Sequence, residues 1–173
     1  MSEKSIADIL LDEEIKKGSF EYNGKEYELR IGAYPMAPLA MFIALQEKGN
    51  TDPACERVMT VCLGNYQSEL SFVQLGSSFI DINNFPEATQ ILEATRLATP
   101  YLKFGEPVEM QSWFVVYPLY EFDKNRLAEL DPIGFAQYQE DWSKQFTIEQ
   151  NKMNEAMFGP QWKDNLDEMM DTL

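Results

Sequence analysis

The chain has no histidine among its 173 residues. That absence removes the commonest general base, every histidine-containing catalytic triad, the usual zinc ligand sets and imidazole pH sensing. Cysteine is scarce too: Cys55 and Cys62 are the only two. On the helix expected there they share a face about two turns apart, too far for a disulfide and without companion ligands for a metal. Both are expected to pack in the core. The glycines are scattered, and Gly18, Gly24, Gly32, Gly49 and Gly64 each stand alone as turn or cap residues. Without a GxGxxG or GxxxxGK cluster, nucleotide binding has no support.

Basic residues are also few. Against 29 acidic residues there are 14 Lys and Arg, for a formal net charge of −15. A field of that sign repels phosphates, so direct nucleic-acid binding is not expected. No apolar run approaches the ~18 residues of a membrane helix, and the start, MSEKSIADILLDEE, lacks the basic and apolar regions of a signal peptide. There is no Asn-x-Ser/Thr acceptor. These features lead to the expectation of a cytoplasmic protein (host cytoplasm if of viral origin) that makes no membrane contact.

What is present is enough to fold. Apolar residues make up 45% and aromatics 13%, too much burial potential for a disordered chain. In Phe20-Glu-Tyr-Asn-Gly-Lys-Glu-Tyr-Glu-Leu-Arg-Ile-Gly32, Asn23-Gly24 suits the positive φ angles of a type I′ turn. The register then sets Phe20 opposite Tyr27, Glu21 opposite Glu26 and Tyr22 opposite Lys25. Phe20, Tyr22, Tyr27, Leu29 and Ile31 form an apolar face, and Glu21, Glu26, Glu28 and Arg30 face water.

Elsewhere helical signals dominate. A short charged helix is expected over residues 3–17, carrying Ile6, Ile9 and Leu10. A buried one is expected from Pro38 to Lys48, and another from the Asp52-Pro53 cap to Gly64. Residues 65–83 stay open between helix and strand. Asn84 to Glu87 resembles a capping box ahead of a helix ending at Pro100. Residues 108–122 suggest one strand ending near Tyr117, broken by Pro118. Its Trp113, Phe114, Tyr117, Tyr120 and Phe122 are expected in the core, because aromatics interleaved with valine and lacking basic neighbours make a poor binding platform. A short helix over 123–130 and a long one from Pro132 to Phe158 follow, the latter with Phe135, Tyr138, Trp142, Phe146, Met153, Ala156 and Met157 at helical spacing. The fold class expected is α+β and predominantly helical, an N-terminal β-hairpin packed on a bundle of about five helices. Residues 1–158 would form one globular domain, and 159–173 a separate acidic amphipathic helix.

That last helix is the feature where docking on a partner competes with folding back on its own domain. Trp162, Leu166, Met169, Met170 and Leu173 share a face opposite Asp164, Asp167, Glu168 and Asp171. These acids lack the alternating order and central glycine of a calcium loop. Residues 121–173 hold 12 acids against 5 basic residues, the most acidic third of the chain.

The N-terminal third resembles the tail assembly chaperones of long-tailed bacteriophages. The resemblance rests on Tyr22-Asn23-Gly24-Lys25-Glu26-Tyr27-Glu28-Leu29, followed by the apolar segment from Pro38 and the Asp52-Pro53 segment, and reaches about residue 64. It implies a small acidic protein that holds apolar surfaces of a tail component until assembly, with no catalytic residues and no cofactor. The function expected is thus non-enzymatic binding of another protein, a phage structural protein or a basic host protein. The alternative is an acidic inhibitor, or nucleic-acid mimic, blocking a basic groove of a host or defence protein. Self-association stays open.

Overall fold

In a computed structural model, which describes residues 16–63 and 74–171, the Asn23-Gly24 turn forms as expected. Both residues take positive φ, 51° and 76°, and β1 (Phe20–Tyr22) pairs with β2 (Lys25–Tyr34) in the register given above. Phe20, Leu29 and Ile31 are buried, with Tyr22 and Tyr27 packed against them. Lys48 relieves the facing carboxylates, its Nζ 3.2 Å from Glu26. Arg30 instead turns to Glu56, its Nε donating to Oε2 at 2.9 Å.

The segment after Gly32 does not become a helix. Residues Ala37–Glu47 form β3, paired with β2 along nearly its whole length. Ala40, Met41, Ile43, Ala44 and Leu45 are all buried. A central strand covered on both faces reads as an uninterrupted apolar run, which periodicity cannot separate from a buried helix. Asp52 does cap, accepting from the Ala54 amide at 3.0 Å with Pro53 behind it, but the result is one 3-10 turn. Two short strands follow, β4 (Arg57–Val58) and β5 (Thr60–Val61). The cysteines expected in a core helix lie outside it: Cys55 is exposed and Cys62 half-buried.

The first sheet has the order β1-β2-β3-β4. Met59 carries the chain into the second: its amide donates to Ile43 at 2.8 Å, and its carbonyl accepts from Asp81 at 2.9 Å. β5 then pairs with β6 (Ser77–Ile80). The sheets are stitched by hydroxyls, the Thr60 Oγ1 accepting from the Ile43 amide at 3.1 Å and the Ser78 Oγ donating to the Met41 carbonyl at 2.8 Å.

Helix α1 covers only Ala88–Ala94, and Glu87 rather than Asn84 stands at its N-cap. Beyond Thr95 the chain is β7 (Ala98–Pro100), a small hairpin of β8 (Leu102–Lys103) and β9 (Glu106–Pro107), and β10 (Glu109–Ser112). β11 (Val115–Phe122) pairs with β6 on one side and with β7 and β10 on the other. Tyr101 donates to the Leu119 carbonyl, and the Leu119 amide donates to Val108. β7 and β10 therefore act as one strand from which the β8–β9 hairpin loops out. Pro118 lies within β11, where the β6 ladder ends, rather than closing it.

Two helices follow as expected, α2 (Lys124–Leu130) and α3 (Pro132–Phe158), then α4 (Trp162–Asp171). The α+β class holds, but a predominantly helical chain with a five-helix bundle does not. Helix and strand take about 35% and 36%, with 4 helices among the described residues. The helix expected over 3–17 falls, as far as residue 15, outside the described residues, as do residues 64–73 of the segment left open. Among the described residues no helix is long and apolar enough to cross a membrane.

Asp131 fixes α3 on the first sheet. Its buried carboxylate accepts from the Ile31 amide at 2.9 Å and from Gly134 at 3.3 Å. A Cβ at Gly134 would lie 2.4 Å from the Ile31 carbonyl, so only glycine allows so close an approach. Asp131→Ala removes a helix cap and strands a buried amide, and should lower unfolding stability by about 2–4 kcal/mol in urea titration. Glu56 predicts a pH effect. The Arg30 hydrogen bond holds its carboxyl below the usual range, so its contribution is present above the ordinary carboxylate pKa and is lost as pH falls through the lowered one. The stability gap between wild type and Glu56→Gln should therefore shrink between neutral pH and about pH 3.

Candidate functional site

The described residues hold no group of three or more His, Cys, Asp or Glu side chains placed for a metal ion. Apart from single exposed side chains such as Met36, what they do present is large apolar side chains grouped in water, on the C-terminal helical arm and at the turns around β8 to β11.

The first is the C-terminal helical arm. α3 packs on β2 and β3, burying Phe135 and Tyr138. Tyr138 accepts from the Gly76 amide at 2.9 Å, and burial pushes its phenol well above the usual range. The same helical face continues through Trp142, stacked on Phe146 at 4.8 Å, to Met153 and Met157. Exposure along that face climbs from 4% at Phe135 to 40% at Phe146, 59% at Met153 and 66% at Met157. The stripe that makes core in the first half of α3 thus runs on past the sheet into solvent.

α4 follows α3 directly after the Gly159 C-cap. Of the nine residues expected to bind a partner, Asp164, Asp167, Glu168, Met169 and Met170 are exposed on α4. Trp162, Leu166 and Asp171 fall within its span, and Leu173 lies outside the described residues. The arm is acidic: residues 132–171 carry eight Asp and Glu against three Lys, of which Lys144 and Lys152 pair with Glu140 and Glu149.

The second place went unread in the sequence. Tyr117, Tyr120 and Phe122 are buried as expected, but Trp113 and Phe114, expected with them, are 87% and 94% exposed. They form the two-residue turn between β10 and β11, with ring centroids 6.3 Å apart and planes at 75°. Phe104 tips the neighbouring β8–β9 hairpin and is 96% exposed. Trp113 and Phe104 have φ of 56° and 54°, the left-handed backbone that tight hairpins normally assign to Asn or Gly, as they do at Asn23-Gly24. Phe104-Gly105 is the visible signal: a residue before glycine between two short polar strands, in the place where Asn usually stands.

Compared with protein-family models, curated proteins and solved structures, the chain matches none.

An aromatic residue held in a left-handed turn outside the core costs backbone strain of about 1–2 kcal/mol. Phe104→Asn and Trp113→Asn should therefore leave stability unchanged or raise it by about 1 kcal/mol in chemical denaturation. Were these rings core, the same changes would cost about 3–5 kcal/mol.

Proposed function

We propose that the protein is a non-enzymatic adaptor or assembly chaperone that holds a partner protein on its helical arm. One observation carries this reading: the apolar face of α3 that is buried at Phe135 stays open from Phe146 to Met157. Amphipathic helices with such a stripe dock on other proteins through anchors at i, i+4 and i+7, and methionine suits a surface that must adapt to its client. Its acidic face keeps the exposed apolar residues in solution and favours a client with basic flanks. Holding a phage tail component is the narrower form of the proposal. It rests on the Tyr22-to-Leu29 hairpin alone, since the segments after Pro38 and Asp52 are strands.

The test is capture of partners from the native source, read by mass spectrometry. Met153→Asp with Met157→Asp, and separately deletion of residues 160–173, should each abolish a partner that wild type retains, while circular dichroism of the β core is unchanged. Retention of the same partner by both variants would remove the arm from the mechanism.

A further inference from the structure

The open stretch of α3 has an order beyond that of an exposed apolar patch. Phe146, Glu149, Met153 and Ala156 follow one another at spacings of three and four, the a and d pattern of a helix seam. The pattern runs back through Trp142, seven residues before Glu149, to Phe135, seven residues earlier still and buried. Phe146 and Met153 are exposed, as is Ala156. Between Phe135 and Ala156, Glu149 is the only charged residue at a seam position.

Its carboxylate is loosely held. Gln145 Nε2 donates to Oε1 at 2.8 Å, and Lys152 Nζ stands 3.9 Å from the same oxygen. The Lys152 side chain is 68% exposed, and so long a surface pair contributes little. Oε2 has no partner among the described residues. Water satisfies it while the face is open. A docked helix changes that: a wholly apolar one would strip water from the carboxylate and return nothing, whereas an Arg or Lys at the facing position would take up the unused oxygen.

We infer that the stretch of α3 from Phe146 to Ala156 docks an amphipathic helix of another protein, and that Glu149 selects a helix carrying Arg or Lys among its apolar seam residues. This rests on the adaptor reading above and names what the arm recognises. A lone polar residue in a seam sets register and partner at a cost in stability. Here the methionines supply adaptable contact and Glu149 supplies discrimination. A second copy of this chain does not meet the requirement, because no seam position from Phe135 to Ala156 holds a cation. Two arms in which acids outnumber lysines eight to three would also repel.

Two synthetic helices of about three heptads test this against the full chain. Both carry apolar residues at a and d and neutral residues elsewhere, and they differ at one central seam position, Arg in one and Glu in the other. Wild type should bind the Arg helix about thirtyfold more tightly in titration calorimetry. Glu149→Gln should bring the two affinities together, and Glu149→Arg should reverse their order, with circular dichroism unchanged in both. Glu149→Arg should also release the partner that wild type captures from the native source. Equal binding of the two helices by wild type, binding of neither, or a preference that Glu149→Arg leaves in place would overturn the inference. In those cases, loss of the captured partner on Met153→Asp with Met157→Asp would leave the adaptor reading standing. Sedimentation showing that wild type dimerises, and that the same methionine changes abolish the dimer, would assign the face to a second copy and overturn the inference as well.

Discussion

The carboxylate of Asp131 sets the layout. β1 covers the outer edge of β2 only along Lys25–Tyr27, so beyond it the Ile31 amide and carbonyl face outward. An open edge of that kind invites pairing with another chain. Here the first turn of α3 closes it: Asp131 takes the amide and, by the same carboxylate, caps the helix that Gly134 lets come so near. One side chain therefore fixes where α3 begins, and so which of its turns lie over β2 and β3 and which lie beyond them.

The second constraint is the corner at Met59. A single residue hydrogen-bonds toward both sheets through its amide and its carbonyl, and the hydroxyls of Thr60 and Ser78 satisfy backbone groups that the change of sheet would otherwise leave unpaired. Behind it form two apolar layers, one beneath α1, α2 and α3 and a smaller one around Phe79, Tyr117 and Leu119. β11 contributes to both, Tyr120 and Phe122 to the first and Tyr117 and Leu119 to the second.

The sequence disclosed structure wherever the cause was local. Asn23-Gly24 fixes a turn through its own φ angles, and the register follows without help from the rest of the chain. Asp52 caps as its Asp-Pro pair announced, and Pro132 starts its helix, because such signals are decided within three residues; neither says how long its helix will be, and one runs a single turn while the other runs 27 residues. The major error was β3. Its Ala, Leu and Met are good helix formers, and the pattern that would mark a strand vanishes when both faces are buried. Only pairing with β2, a tertiary fact, decides it. The arm was half legible: Trp162 to Met170 showed a face, but that Phe146 to Met157 would outrun the sheet depended on where Asp131 anchors the helix. The tips were hidden for a related reason, since an aromatic in a hairpin turn spells the same as one in a strand.

The two apolar surfaces differ in origin, and the difference bears on what the charge does. The tips cost backbone strain, and the arm costs only hydration, since a helix ending near Trp142 would already complete the core. Leaving Phe104, Trp113, Phe114, Met153, Met157 and Phe158 in water would make most proteins aggregate. Spread over 173 residues, a charge of −15 opposes that non-specifically, with a reach of about 8–10 Å in physiological salt. Short-range apolar contact prevails once two surfaces fit, because charge repulsion is screened and shape complementarity is not. The acidity is thus better understood as the condition that lets these surfaces stay exposed than as the recognition signal itself, which lies in the shape and spacing of the rings and methionines.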